Sequence, residues 1–140
     1  MNPTEIALVQ DSFAKVAPDA AGVAALFYGR LFDQHPAVAP LFKTDLREQG
    51  GKLMSMLSAV VAGLNDLGSL VPVAQNLARR HVAYGVQPEH YQYVGAALLW
   101  TLQQGLGKDF TPDVEAAWAK AYGTLSSVMI DAAYPSATKH

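Results

Sequence analysis

The sequence predicts an all-α fold, and three observations carry that prediction. Apolar residues recur at three- and four-residue steps along most of the chain, the spacing of one helical face. No segment shows sustained two-residue alternation, and no Asn-Gly or Asp-Gly pair marks a hairpin. Prolines stand at Pro3, Pro18, Pro36, Pro40, Pro72, Pro88, Pro112 and Pro135, bounding segments of helical length. Proline suits a first helical turn and breaks an interior, so these positions read as edges. The expectation is about six substantial helices with one or two short ones.

Thr4 serves as cap for a first helix, with Ile6, Val9, Phe13 and Val16 along one face. Asp19 caps a second, which runs towards Asp33 and stops before Pro36. Its face carries Val23, Leu26, Phe27 and Leu31, with Tyr28 on a neighbouring stripe. His35 to Phe42 holds two prolines and reads as a short helical turn at a corner. After Asp45 a longer helix aligns Leu53, Met56, Leu57, Val60 and Leu64, with Gln49 on the same stripe at its open end. Asn65 to Ser69 is a turn, and Ser69 caps a helix on which Leu70, Val73, Ala74, Leu77, His81 and Tyr84 share a face. Pro88 opens the next helix, with Tyr91, Val94, Leu98, Leu102 and Leu106 aligned and Gly105 or Gly107 as terminator. Thr111-Pro112-Asp113 supplies a cap, a first-turn proline and an acid at the positive dipole end. The last helix aligns Val114, Trp118, Ala121, Tyr122, Leu125 and Met129. Residues 1–135 are expected to form one domain, with 136–140 as a flexible tail.

Bulk properties narrow the chemistry. A chain of 140 residues can bury a core without staples, and 51% hydrophobic against 16% charged residues leaves apolar material to line a pocket. Net charge is −2 and Arg79-Arg80 is the one basic pair, which excludes a phosphate-tracking surface for nucleic acid. There is no cysteine, so disulfides, thiolate catalysis, iron–sulfur clusters and zinc–thiolate sites are excluded. The N-terminus has no basic start or long apolar run, and no segment reaches the roughly 18 apolar residues of a membrane span. A cytoplasmic protein without stable membrane insertion is expected, monomeric or homodimeric.

Catalytic constellations are poorly represented. No serine sits in a Gly-x-Ser-x-Gly elbow, and the acids scatter to helix starts and exposed faces. Helix-borne His-x-x-x-His and Glu-x-x-His metal pairs are missing, and Glu89-His90 points to two faces. What remains is His81, alone on an apolar stripe. It reads either as a core histidine satisfied by neighbours or as a ligand to a metal in an apolar wall. A haem suits one such ligand, because its porphyrin supplies four equatorial nitrogens. Tyr28 and Gln49 are the polar side chains on otherwise apolar faces in the first half; taken alone, Tyr28 reads as an interfacial aromatic and Gln49 as an exposed helix-end residue.

Together, several segments carry a family resemblance. They are Leu26-Phe27-Tyr28 to Phe32, His35-Pro36 to Leu41-Phe42, Gln49 with Lys52-Leu53-Met54, and Arg80-His81 to Tyr84-Gly85-Val86. His90-Tyr91 to Val94-Gly95 and Ala117-Trp118 to Ala121-Tyr122-Gly123 complete the colinear series. The chain resembles the bacterial single-domain haemoglobins, related to the globin module of flavohaemoglobins.

The resemblance implies a globin fold around haem b, with His81 as proximal iron ligand whose other ring N–H donates to a carbonyl one turn back. Phe42 would pack on the porphyrin face, a role that overlaps with a plain core aromatic. Tyr28 and Gln49 would be distal donors to bound oxygen. Leu53 and Leu57 would line the distal wall, and Val86, Val94 and Leu98 the proximal and rear walls. Lys52, Arg79 and Arg80 would be candidates for the haem propionates while also being ordinary surface cations. Tyr91 matches a tyrosine that supports the proximal histidine. Its usual glutamate partner is replaced by Ala133, which weakens the electron push that peroxidase-like cleavage needs. The implied function is reversible binding of O2, and of NO and CO. The enzymatic alternative is NO dioxygenation, for which a chain of this length is expected to need a separate reductase.

Overall fold

The first helix starts from Asn2 rather than Thr4. The Asn2 side chain accepts from the Glu5 amide at 2.8 Å, and the Glu5 carboxylate accepts from the Asn2 amide at 2.9 Å. This reciprocal capping box places Pro3 in the first turn. The computed structural model describes residues 2–41, 46–83, 86–87 and 89–133, without the side chains of Leu46, Arg47, Leu67, Val82 and Ala83. Phe42, Tyr84, Gly85, Pro88, Pro135 and the tail 136–140 lie outside the described residues.

The six α-helices are α1 (Pro3–Val16), α2 (Ala20–Gln34), α3 (Leu46–Ala62), α4 (Leu67–Ala83), α5 (His90–Leu106) and α6 (Pro112–Ala133). Short 3-10 turns at Ala17–Asp19, Pro36–Leu41, Gly63–Asn65 and Gly107–Asp109 join them, and no strand occurs among the described residues. The all-α expectation is met, and several boundaries follow local chemistry. Ser69 lies inside α4, its hydroxyl donating to Asp66 Oδ2 at 2.5 Å, so it braces the helix start without capping it. Gly105 stays helical, whereas Gly107 ends α5 at φ +56°, a left-handed conformation that favours glycine. Thr111 caps α6, its hydroxyl accepting from the Val114 amide at 3.3 Å.

α2 packs on α3 and α5, while α1 and α4 both pack on α6. Two predicted faces are narrower than their spacing suggests. Leu26 is 39% and Val73 50% exposed, because the inward lines run Val23–Phe27–Leu31 and Ala74–Ala78, one position round the helix. The α1–α6 contact is keyed by a buried polar pair, with Trp118 Nε1 donating to Ser12 Oγ at 2.8 Å and Ser12 donating to the Leu8 carbonyl at 2.7 Å. At its rim Lys120 meets Glu5 at 3.1 Å.

Buried apolar residues fall into two clusters among the described residues. The larger joins α1, α2, α3, α5 and α6 and includes Tyr28, Met54, Leu98 and Trp118. The smaller gathers Ala74 and Ala78 of α4, Tyr91 of α5 and Met129 of α6. A single core would merge them. Here α4 buries Ala74 and Ala78 in the smaller cluster, while its Leu70 packs against the larger and Leu125 touches both. No described helix is long and apolar enough to cross a membrane.

Candidate functional site

His81 stands in the last turn of α4, half-buried. Its Nδ1 lies 2.7 Å from the Leu77 carbonyl oxygen, one turn back. A carbonyl only accepts, so Nδ1 carries the proton of this contact and Nε2 is the ring's other nitrogen. The Val86 amide donates to the His81 carbonyl at 3.0 Å. The Tyr91 ring lies 6.5 Å from the imidazole at 33°.

A side chain that the sequence left without a role completes this wall. Tyr122 of α6 donates from its hydroxyl to the Tyr91 carbonyl at 2.5 Å. A Cβ at Gly95 would lie 2.7 Å from the Tyr122 ring, so the missing side chain at Gly95 is what lets α6 seat that ring against α5. Burial, helped by neighbouring Tyr91, pushes the Tyr122 phenol well above its ordinary value.

Tyr28 faces the other wall, 6% exposed, between Phe27 at 5.1 Å edge-on and Phe32 at 5.8 Å stacked. Its hydroxyl donates to the Gln49 carbonyl at 3.3 Å. The close α2–α3 crossing makes that reach available: a Cβ at buried Gly50 would lie 2.9 Å from the Ala24 methyl. Burial pushes the Tyr28 phenol up to about 12, so it remains a protonated donor through the neutral range. A glycine inside a long amphipathic helix costs roughly 1 kcal/mol against alanine, so Gly50 and Gly95 were legible as helical positions needing a packing reason.

The remaining candidates divide between the two walls. Leu98 belongs to the larger cluster, and half-buried Leu53, Leu57 and Val94 pack against it. Val86 packs in the smaller cluster with Tyr91, and Ala133 joins them. Lys52, Arg79 and Arg80 are exposed. Phe42 is outside the described residues. Tyr28 and Gln49 are thus brought together, His81 and Tyr91 are brought together, and Tyr28 belongs to the larger cluster while Tyr91 belongs to the smaller.

No group of three or more His, Asp or Glu side chains forms a metal cage among the described residues. One oriented imidazole in an apolar wall fits a different arrangement, a metal that brings most of its ligands within a flat organic group. The residues present therefore suit a haem-type cofactor better than a bare ion.

Among known proteins, the model of the Globin family matches residues 25–129. The flavohemoprotein of Bacillus subtilis is 34% identical over 107 residues, covering 74% of this chain and 27% of that protein. The flavohemoprotein of Rhodopirellula baltica is 30% identical over 128 residues, covering 89% of this chain and 31% of its own length. That of Bordetella parapertussis is 31% identical over 133 residues, covering 93% and 33%. The chain thus spans about a third or less of the length of these relatives.

Proposed function

The chain belongs to the globin family, and from that premise we propose that it binds O2 reversibly, together with NO and CO, through haem b held by His81. The observation that carries the reading is the His81 ring, fixed through Nδ1 on the Leu77 carbonyl with Nε2 as its other nitrogen. When bound, haem would supply an iron able to take one nitrogen from the protein and a diatomic gas.

The chain's own residues divide the rest of the work. His81 would hold the iron as a neutral imidazole, its orientation fixed and its basicity raised by the Leu77 carbonyl. Tyr28 and Gln49, joined at the α2–α3 crossing, are the donors to a bound diatomic. Leu53, Leu57, Val94 and Leu98 exclude water, which strengthens those hydrogen bonds. Val86 and Tyr91 pack the histidine side, and the exposed cations Lys52 and Arg80 serve the propionates.

The relatives' name, flavohemoprotein, points to a flavin beside the haem in those proteins, and a second reading builds on it, in which NO and O2 yield nitrate with electrons from a flavin-bearing reductase. Against dominance of that reading stands Ala133, an apolar residue packed in the cluster of Tyr91. Absorption spectra of the haem-titrated protein in ferric, dithionite-reduced and CO-bound forms test the proposal. Stoichiometric haem uptake and a reversible O2 spectrum are expected, and failure to take up haem would sink it. Nitrate yield from NO, with and without a reductase, separates gas carriage from dioxygenation.

A further inference from the structure

The connector between α4 and α5 is held by consecutive amides that reach to different helices. Val86 donates to the His81 carbonyl in the last turn of α4. The next amide, that of Gln87, donates to His90 Nδ1 at 3.0 Å, at the first residue of α5. The His90 amide returns a bond to the Gln87 carbonyl, also at 3.0 Å. The reach is the one by which Glu5 accepts from the Asn2 amide in the box that starts α1. With one amide pinned to each helix, the connector cannot slide without breaking a bond. The last turn of α4 is thereby set against the first turn of α5, where the His81 and Tyr91 rings lie 6.5 Å apart.

An imidazole differs from a carboxylate in this role. A backbone N–H only donates, so Nδ1 accepts in this contact, and a protonated imidazole has no acceptor left. A cation at the first residue of a helix also meets the positive end of its dipole. The half-buried His90 ring is backed by half-buried Tyr93 at 5.8 Å. His35, at the end of α2, stacks on Tyr93 at 3.7 Å and 12°. His35 answers acid in the opposite sense, because a cation over a phenol ring is attracted to it. Beyond these two, the ionisable groups of the neighbourhood are exposed Asp33 of α2, exposed Glu89 before His90, and Tyr122 of α6 on the Tyr91 carbonyl.

We propose that His90 is a positioning residue for His81, latching the connector through the Gln87 amide, and that acid releases the latch. The latch stands on the chain's own hydrogen bonds, whereas its bearing on iron rests on the haem reading of His81. NMR of isotope-labelled full-length protein tests it from about pH 8 to about pH 5, where imidazoles titrate. The Gln87 amide proton is expected to move upfield in one step, together with the His90 ring protons. His90→Glu keeps an acceptor that stays ionised over this range, so the step should be lost. His90→Gln gives the same comparison should the charged variant not fold, and His35→Gln should keep the step. A Gln87 shift that ignores pH, survives in His90→Glu or follows His35 overturns the latch. Positioning is read on haem-loaded, reduced, gas-free protein as the pH dependence of its iron–nitrogen stretching band. The band is expected to move with the Gln87 step in the native protein and to stay fixed in His90→Glu. A band unmoved in both, or moving equally in both, overturns the positioning role while leaving haem binding intact. Failure to take up haem sinks the earlier reading and the positioning role with it, while the amide titration still decides the latch.

Discussion

Tyr28 is a hydrogen-bond donor in an aromatic wall, and its consequences are local. A hydrogen bond to a charged or strongly polarised acceptor contributes about 1.5–3 kcal/mol, or roughly 10- to 150-fold in an equilibrium. Tyr28→Phe is therefore expected to raise the O2 dissociation rate at least about tenfold by stopped flow. An unchanged rate would show that the hydroxyl does not reach the ligand. The same burial has an alkaline signature. With its phenol near 12 in the fold and 10.0 ordinarily, Tyr28 stabilises the native state fully below pH 10 and loses that contribution as pH rises towards 12. Tyr122 acts in the same direction. Chemical denaturation across that range should show stability falling with pH, by up to about 1.4 kcal/mol per pH unit for each group. Tyr28→Phe should make the fall shallower. Residue types were legible here: His81, Tyr28 and Gln49 stood out as polar groups on apolar stripes. The Leu77 carbonyl, one turn back on the same helix, was expected from the resemblance and is where the ring nitrogen points. The Gln49 carbonyl and the Tyr122 hydroxyl were not foreseen, because they depend on helix crossings that spacing does not encode.

Helices were legible wherever apolar periodicity and prolines agreed, as from Pro112 through Met129 in α6. Caps and edges were less so, since Asn2 and Thr4 are both competent caps and only the reach of Glu5 decides between them. Helix crossings are where glycine replaces periodicity as the signal. Gly95→Ala forces a methyl against a Tyr122 ring already tethered by its hydroxyl, so a loss of about 1–3 kcal/mol is expected in urea unfolding. Gly123→Ala is the matched control on α6. No atom of a neighbouring element lies within 4 Å of where its methyl would stand, so a gain of about 0.5–1 kcal/mol is expected from helix propensity. Equal effects of the two would contradict the tight α5–α6 contact. Ser12→Ala should cost about 1–3 kcal/mol by leaving the buried Trp118 N–H unpaired, read by the same unfolding curves.

The division of the apolar interior into two clusters gives the whole molecule its character. One cluster carries Tyr28, Leu98 and Trp118 and draws on α1, α2, α3, α5 and α6, and the other carries Ala74, Ala78, Tyr91 and Met129. Sequence periodicity foretold that each helix has an inward face, but it could not say that the faces close on two centres. A bound cofactor would stabilise the native state in proportion to the logarithm of its free concentration over its dissociation constant. Thermal unfolding should therefore move upward with added haem, and the shift should shrink in His81→Gly. The central claim is that the His81 imidazole is the bond between chain and iron. Resonance Raman of the reduced, gas-free protein reads that bond directly as an iron–nitrogen stretching band. The band should be present in the native protein, absent in His81→Gly, and restored when free imidazole is added to the variant. Its persistence in His81→Gly without imidazole would contradict the account.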